Sequence, residues 1–166
     1  CMSEIPTYLV NLKKDVARKK NTLRQLDPER FNVHLIEAVY GKDLSEEYVR
    51  AHCDMEAIER NPRWLSPGAI GCALSHLKVY EQMLADNVGH ALVLEDDKDY
   101  PDDIADLCEV VIPEMEDNEV TMLYYESPEP CEFSLRTKVD LSNGYKLLHP
   151  VQKHSPITTG AYLITR

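Results

Sequence analysis

Three consecutive carboxylates, Glu95, Asp96 and Asp97, follow directly after a short apolar run at residues 91–94. If the extended strand continued, alternation would send Glu95 and Asp97 to one side and Asp96 to the other. Carboxylate oxygens suit a hard divalent cation such as Mg²⁺ or Mn²⁺, and a cation would relieve the repulsion among neighbouring anions. One interpretation of this stretch is therefore a metal site that uses Glu95 and Asp97.

The other interpretation of the same stretch is a solvated turn. Lys98 and Asp99 continue the polar surface toward Pro101, and acidic runs after strands are common in turns and in first helical turns. Two or three acids after a strand are a weak motif when taken alone. Both interpretations stay open at this point.

A second group of polar residues, Asn11, Lys13, Asp15 and Arg18, follows the first predicted strand. In a βαβ unit a nucleotide or phosphate lies at this position. Arg18 could pair with a phosphate through two hydrogen bonds or stack on a base. The alternative is an ordinary basic helix facing solvent. The chain contains neither GxGxxG nor GxxxxGK[ST], so dinucleotide-binding and P-loop proteins are less supported.

The longest predicted helix carries small residues on one face: Gly68, Gly71, Cys72 and Ser75. Small side chains allow the helix backbone to approach closely either to another element or to a ligand. Ser75 and His76 are adjacent, and neighbouring residues on a helix point about 100° apart. They therefore do not form a catalytic pair.

The elements that position these residues alternate between strand and helix. A strand at 6–12, a helix at 16–26 and a strand at 33–39 form a βαβ unit, which predicts a parallel pair and an α/β fold. The remaining pattern predicts helices at 46–53, from Ser66-Pro67 to about 86, and at 102–111. It predicts strands at 91–94, 120–125, 133–139, 145–149 and 159–165, with a hairpin-type turn at Ser142-Asn143-Gly144.

Composition limits the classes of protein that fit. The 166 residues suit one domain, and 18 basic against 29 acidic residues give a net charge of -11, which argues against nucleic-acid binding. Five cysteines, with no CxxC pair, argue against a disulfide scaffold and a structural zinc site. No signal peptide and no apolar run of ~18 residues is present, so we expect a cytoplasmic protein without a transmembrane segment.

Five segments occur in the order found in glycosyltransferase family 25: YLVNLKKDVARKK, IEAVYGKDL, LSPGAIGCALSHLKVYEQML, ALVLEDD and TTGAYLITR. This family includes bacterial lipooligosaccharide sugar transferases and the related collagen galactosyltransferases. The chain resembles the family over essentially residues 1–166. The resemblance implies one domain with an α/β, GT-A type Rossmann-like fold and a mostly parallel central sheet.

The resemblance also implies an activity: metal-dependent transfer of a hexose, typically galactose, from a UDP-sugar to a glycan, with inversion. By this analogy Asp97 is the best candidate ligand for Mn²⁺ or Mg²⁺, together with Glu95. The residues assigned to the UDP-sugar donor are Asn11, Leu12, Asp15, Arg18, Ser75, His76, Glu95 and Asp96. No residue is identified as the catalytic base that an inverting displacement requires.

The acceptor implied by the resemblance is a glycan or glycolipid such as lipooligosaccharide, and a glycolipid acceptor is compatible with peripheral association with a membrane. Family members commonly continue beyond the last predicted strand, so we expect a domain truncated at the C-terminus, after Arg166. The alternative function is a non-catalytic nucleotide-sugar-binding or carbohydrate-binding domain. A divalent-metal phosphohydrolase is the weakest hypothesis, because no nucleophile motif is present.

Overall fold

The computed structural model describes residues 4–127, 129–152 and 158–166. Helices and strands alternate along most of the chain, as the sequence pattern predicts. The elements are β1 (Ile5–Asn11), α1 (Val16–Arg24), β2 (Phe31–Glu37), α2 (Glu46–His52), α3 (Met55–Arg60), α4 (Pro67–Ala85), β3 (His90–Glu95), α5 (Ile104–Val111), β4 (Val120–Tyr124), β5 (Phe133–Asp140), β6 (Lys146–Pro150) and β7 (Ala161–Thr165).

The central sheet has five strands in the order β2-β1-β3-β7-β4. Strand β1 is parallel to β2 and to β3, whereas β7 is antiparallel to both of its neighbours, β3 and β4. Four strands therefore point the same way and β7 points the other way. The α/β class with a mostly parallel sheet is confirmed. Strands β5 and β6 form a separate antiparallel hairpin around the predicted Ser142-Asn143-Gly144 turn.

The sheet separates two hydrophobic clusters, because successive strand residues point to opposite faces. On one face Tyr8 and Val93 pack with Val79 and Met83 of α4. On the other face Leu9, Leu92 and Leu94 pack with the α5 side chains Ile104, Cys108 and Val111. The central strands β1 and β3 are thus buried on both faces, which fixes the positions of their carboxyl ends.

Helix α4 is placed by its N-terminal turn and by a close backbone contact. Ser66 caps the helix by accepting a 3.3 Å hydrogen bond from the Ala69 amide, and Pro67 follows it. A Cβ atom on Gly71 would lie 2.6 Å from both the Val39 carbonyl oxygen and the Gly41 nitrogen. The small-residue face of α4 therefore packs against the loop after β2.

Replacing Gly71 with alanine should destabilise the protein by about 1–3 kcal/mol, because the added methyl overlaps backbone atoms that cannot rotate away. This loss should exceed the gain of about 1 kcal/mol that alanine ordinarily brings to a helix interior. The measurement is the free energy of unfolding in urea. Gly68→Ala is the matched control, since a Cβ there meets only the Ser66 hydroxyl at 3.9 Å. Equal stability of the two variants would contradict the prediction.

One helix differs from the sequence pattern. Helix α3 is not predicted, although Asp54 caps it by accepting a 3.0 Å hydrogen bond from the Ala57 amide. Its six residues are too few to show helical periodicity clearly.

Cys1 lies outside the described residues, and the other cysteines, Cys53, Cys72, Cys108 and Cys131, are free thiols. Among the described residues, no helix has the length and apolar character needed to cross a membrane.

Candidate functional site

The carboxyl ends of β1 and β3 lie side by side, because the two strands pair in parallel with Val10 opposite Glu95. The next residues along the chain, Asn11 and Asp96, consequently meet. The Asn11 amide donates hydrogen bonds to the Asp96 carboxylate and to the Asp15 carbonyl oxygen, the latter at 3.1 Å. Asn11 is 7 % exposed, so this buried amide fixes both Asp96 and the turn that leads into α1.

A cavity of about 350 Å³ opens beside this contact, between the first turns of α1 and the turn after β3. Its polar lining contains the Arg18 guanidinium and the carboxylates of Asp96 and Asp97. The residues lining the cavity are Ala17, Arg18, Asn21, Asp96, Asp97, Lys98 and Asp99. The arrangement offers oxygen ligands to a hard cation and a guanidinium to a phosphate within one space.

The groups around Asp96 shift its pKa in opposite directions. Burial raises the pKa of Asp96, the Asn11 hydrogen bond and the Arg18 charge lower it, and repulsion from Asp15 and Asp97 raises it again. The net shift is upward. A group of carboxylates that repel one another in a partly buried site fits a cation chemically, because the cation would favour their ionised forms.

Asp97 and Lys98 extend the site toward β7. Asp97 is exposed, and its carboxylate lies 3.6 Å from the Lys98 ammonium. The Lys98 side chain crosses Gly160, where a Cβ atom would approach the lysine Cε to 2.8 Å, and its ammonium lies 4.8 Å from the centre of the Tyr124 ring. Gly160 thus leaves the space that lets Lys98 reach Asp97.

Glu95 points to the opposite face of the sheet, toward α4. Its Oε1 accepts hydrogen bonds from the Thr159 hydroxyl at 2.6 Å and from the Cys72 thiol at 3.5 Å, and it lies 3.0 Å from His76 Nε2. The other ring nitrogen of His76 lies 2.7 Å from the Tyr162 hydroxyl. Glu95 therefore has partners from α4 and from the segment before β7, and Tyr162 of β7 contacts its partner His76.

The protonation states of this pair follow from those contacts. Burial opposes protonation of His76, but hydrogen bonding to Cys72 and Glu95 outweighs it and raises the pKa of His76 to about 9. Burial likewise opposes ionisation of Glu95, but hydrogen bonds from His76 and Thr159 hold its pKa below the usual value. At neutral pH the pair is an ion pair with a charged imidazolium and a carboxylate.

The predicted site residues thus divide into two groups. The structure brings Asn11, Asp15, Arg18, Asp96 and Asp97 together at the α1 face. Strand β3 ends at Glu95, and Asp96 and Asp97 form a turn, so strand alternation does not extend to Asp97.

Ser75, His76 and Glu95 form the second group, on the α4 face of the sheet. The Ser75 hydroxyl accepts a 2.8 Å hydrogen bond from the Val39 amide and donates a 2.7 Å one to the Gly71 carbonyl, which is a packing role.

Leu12, which is half-buried, accepts a 2.8 Å hydrogen bond from the Asp15 amide through its carbonyl oxygen.

Sequence reasoning did not select Asn21, Cys72, Lys98, Thr159 or Tyr162 as site residues. The four-residue spacing of Cys72 and His76 is a usable signal, since it places both side chains on one helix face. Thr159 is more than sixty residues away from its partner Glu95 along the chain. Tyr162 is more than eighty residues away from its partner His76. Nothing local in the sequence marks contacts of that range.

A parallel β1–β3 pair with a polar crevice at its carboxyl ends is the arrangement of a Rossmann-like α/β protein. The family model described as glycosyltransferase family 25 (LPS biosynthesis protein) matches residues 4–166. The chain belongs to glycosyltransferase family 25, as the resemblance predicts.

Individual relatives agree with this assignment. Procollagen galactosyltransferase 2 of Mus musculus is 35% identical over 94 residues, which cover 54% of this chain and 15% of that protein. A putative glycosyltransferase of Haemophilus influenzae is 26% identical over 104 residues, covering 62% of this chain and 36% of that protein. A probable inactive glycosyltransferase 25 family member 3 of Rattus norvegicus is 25% identical over 100 residues, covering 57% of this chain and 17% of that protein. The matches span well under two thirds of these relatives.

Proposed function

We propose that this chain carries the donor site of a metal-dependent glycosyltransferase that moves a hexose, galactose, from a UDP-sugar to a glycan with inversion. The observation that carries the proposal is the cavity in which Arg18, Asp96 and Asp97 meet at the carboxyl ends of β1 and β3. Family membership and the similarity to a procollagen galactosyltransferase support the reaction and the hexose. The family description, which names LPS biosynthesis, supports a lipooligosaccharide acceptor.

The donor would occupy the cavity with its diphosphate between the cationic and the anionic side chains. Arg18 would pair with a phosphate, and Asn11 keeps Asp96 oriented through its buried amide. Asp97 is the carboxylate proposed to hold Mn²⁺ or Mg²⁺, with Asp96 beside it in the same cavity. The cation, when bound, supplies positive charge that stabilises the departing diphosphate.

In this proposal Glu95 does not bind Mn²⁺ or Mg²⁺ directly. Its carboxylate takes three partners on the α4 face, His76, Thr159 and Cys72. We therefore assign it, with His76, to positioning the end of β3 from which Asp96 and Asp97 project. Lys98 lies next to Asp97 and would add a second positive charge near the diphosphate.

The test is incubation with UDP-galactose and Mn²⁺, with detection of UDP release and of transfer to a lipooligosaccharide acceptor. We expect UDP release that depends on Mn²⁺ and is lost on chelation, and UDP-glucose serves as the comparison donor. If the protein binds no nucleotide sugar, the proposal is wrong.

A second candidate function is a nucleotide-sugar-binding domain without catalysis. The similarity to a relative named as probably inactive favours this alternative. Calorimetry with UDP-galactose distinguishes the two functions: binding without turnover supports the second, and measurable transfer removes it.

A further inference from the structure

Three side chains with metal-binding atoms converge on the α4 face of the sheet, away from the donor cavity. The ligand atoms of Cys72, His76 and Glu95 all lie within 4.8 Å of one another. Cys72 and His76 are one helical turn apart on α4, so the helix itself presents a sulfur and an imidazole on the same side. Glu95, at the end of β3, faces them from the sheet.

The separations are close to those of a tetrahedral zinc site. Usual zinc bond lengths imply about 3.3 Å between a nitrogen and an oxygen ligand and about 3.6 Å between a sulfur and an oxygen ligand. The observed distances to Glu95 Oε1 are 3.0 Å from His76 Nε2 and 3.5 Å from Cys72 Sγ. The third pair, the Cys72 sulfur and the His76 imidazole nitrogen, lies within 4.8 Å, against about 3.5 Å in such a site, so the two side chains would have to approach each other by about 1 Å at most.

The surroundings provide the outer contacts that such a site needs. His76 is 4 % exposed, and its Nδ1 lies 2.7 Å from the Tyr162 hydroxyl, which lies 3.1 Å from the Tyr80 hydroxyl. With Nε2 on a metal, Nδ1–H would donate to Tyr162, and this contact fixes the ring and its tautomer. The Thr159 hydroxyl lies 3.4 Å from the Cys72 sulfur, and three protein ligands would leave the fourth position of a tetrahedral ion to water.

We propose that Cys72, His76 and Glu95 form a zinc-binding site that is separate from the donor cavity. A thiolate and an imidazole favour Zn²⁺ over Mg²⁺ and Mn²⁺, whereas the donor cavity offers carboxylate oxygens, which favour the hard cations. The bound ion would join α4 to the end of β3 and stabilise the folded state by mass action. This proposal does not depend on sugar transfer and holds for a catalytic or a non-catalytic domain.

The test is titration of the reduced protein with Zn²⁺ by calorimetry, and with Co²⁺ as a spectroscopic probe of thiolate ligation. We expect one equivalent of Zn²⁺ to bind, a sulfur-to-cobalt charge-transfer band to appear, and Tm to rise with Zn²⁺. Cys72→Ser should abolish the band and weaken Zn²⁺ binding at least about 10-fold. Cys131→Ser is the matched control, since Cys131 is also a half-buried free thiol but lies outside the cluster.

Three results would overturn the proposal: no Zn²⁺ binding by the unmodified protein, no charge-transfer band, or equal affinity in the Cys72→Ser variant. Circular dichroism establishes that each variant is folded. Glu95→Gln provides a second variant with a similar side-chain volume, and it should weaken Zn²⁺ binding while the sulfur-to-cobalt band is retained at saturating Co²⁺. Because no sugar or nucleotide is present, failure of this test leaves the transferase proposal unaffected.

Discussion

Replacing Asp97 with alanine should abolish manganese-dependent binding of UDP. Loss of a residue that merely orients a metal ligand costs about 10- to 100-fold in metal affinity, so loss of the ligand itself should cost about 100-fold or more. The 3.6 Å contact between Asp97 and Lys98 is exposed and contributes little to stability, so the variant should remain folded. The measurement is calorimetric titration with UDP at saturating Mn²⁺.

The same titration in EDTA separates a metal ligand from a charged surface residue. Without metal, a carboxylate in the cavity repels phosphate, so Asp97→Ala should then bind UDP as well as the unmodified protein or slightly better. Asp102→Ala removes an exposed carboxylate that does not line the cavity and is the charge-matched control. Unchanged UDP affinity with Mn²⁺ in Asp97→Ala would mean that the acidic run is a solvated turn.

Local sequence patterns were sufficient to predict most of the fold. The strand at the start of the chain, the α4 helix with its Ser66-Pro67 start, and the hairpin turn at Gly144 all depend on contacts within a few residues. The position of β7 was not predictable in this way. Strand β7 lies between β3 and β4 and is antiparallel to both. Packing across the whole sheet determines which strands it pairs with.

The candidate site, like the fold, could be predicted from the sequence only in part. The residues at the ends of β1 and β3 could be predicted to meet, because parallel strands place their carboxyl ends at one edge. The direction in which each carboxylate points could not be predicted in this way. Glu95 faces α4 because it continues the alternation of Val93 within β3, whereas Asp97 leaves the alternation because the chain turns at Asp96.

The ion pair between His76 and Glu95 leads to the largest stability effect that we expect. Replacing Glu95 with alanine removes the partner of a buried imidazolium, and breaking a buried pair from one side typically costs about 3–5 kcal/mol. We expect a loss of about 3 kcal/mol, measured by urea unfolding at pH 6 with EDTA present. Glu81→Ala removes an exposed carboxylate of α4 and should change stability by less than about 0.5 kcal/mol.

The pH dependence of stability identifies the pair as the cause. The groups facing His76 are Cys72 on its own helix, Glu95 on β3 and Tyr162 on β7. Because the pKa of His76 rises from 6.5 to about 9 on folding, its contribution is complete below about pH 6.5 and is lost as the pH rises through about 9.

Glu95 acts in the opposite direction, since its lowered pKa gives a contribution that is present above about pH 4.5 and is lost on acidification. The unmodified protein should therefore be most stable at about pH 5–6.5 and lose about 2–3 kcal/mol by pH 9. In Glu95→Ala the pKa of His76 should fall toward or below 6.5, because burial then acts with less opposition. The decline between pH 6.5 and 9 should consequently shrink, and an unchanged decline in the variant would assign it to other groups.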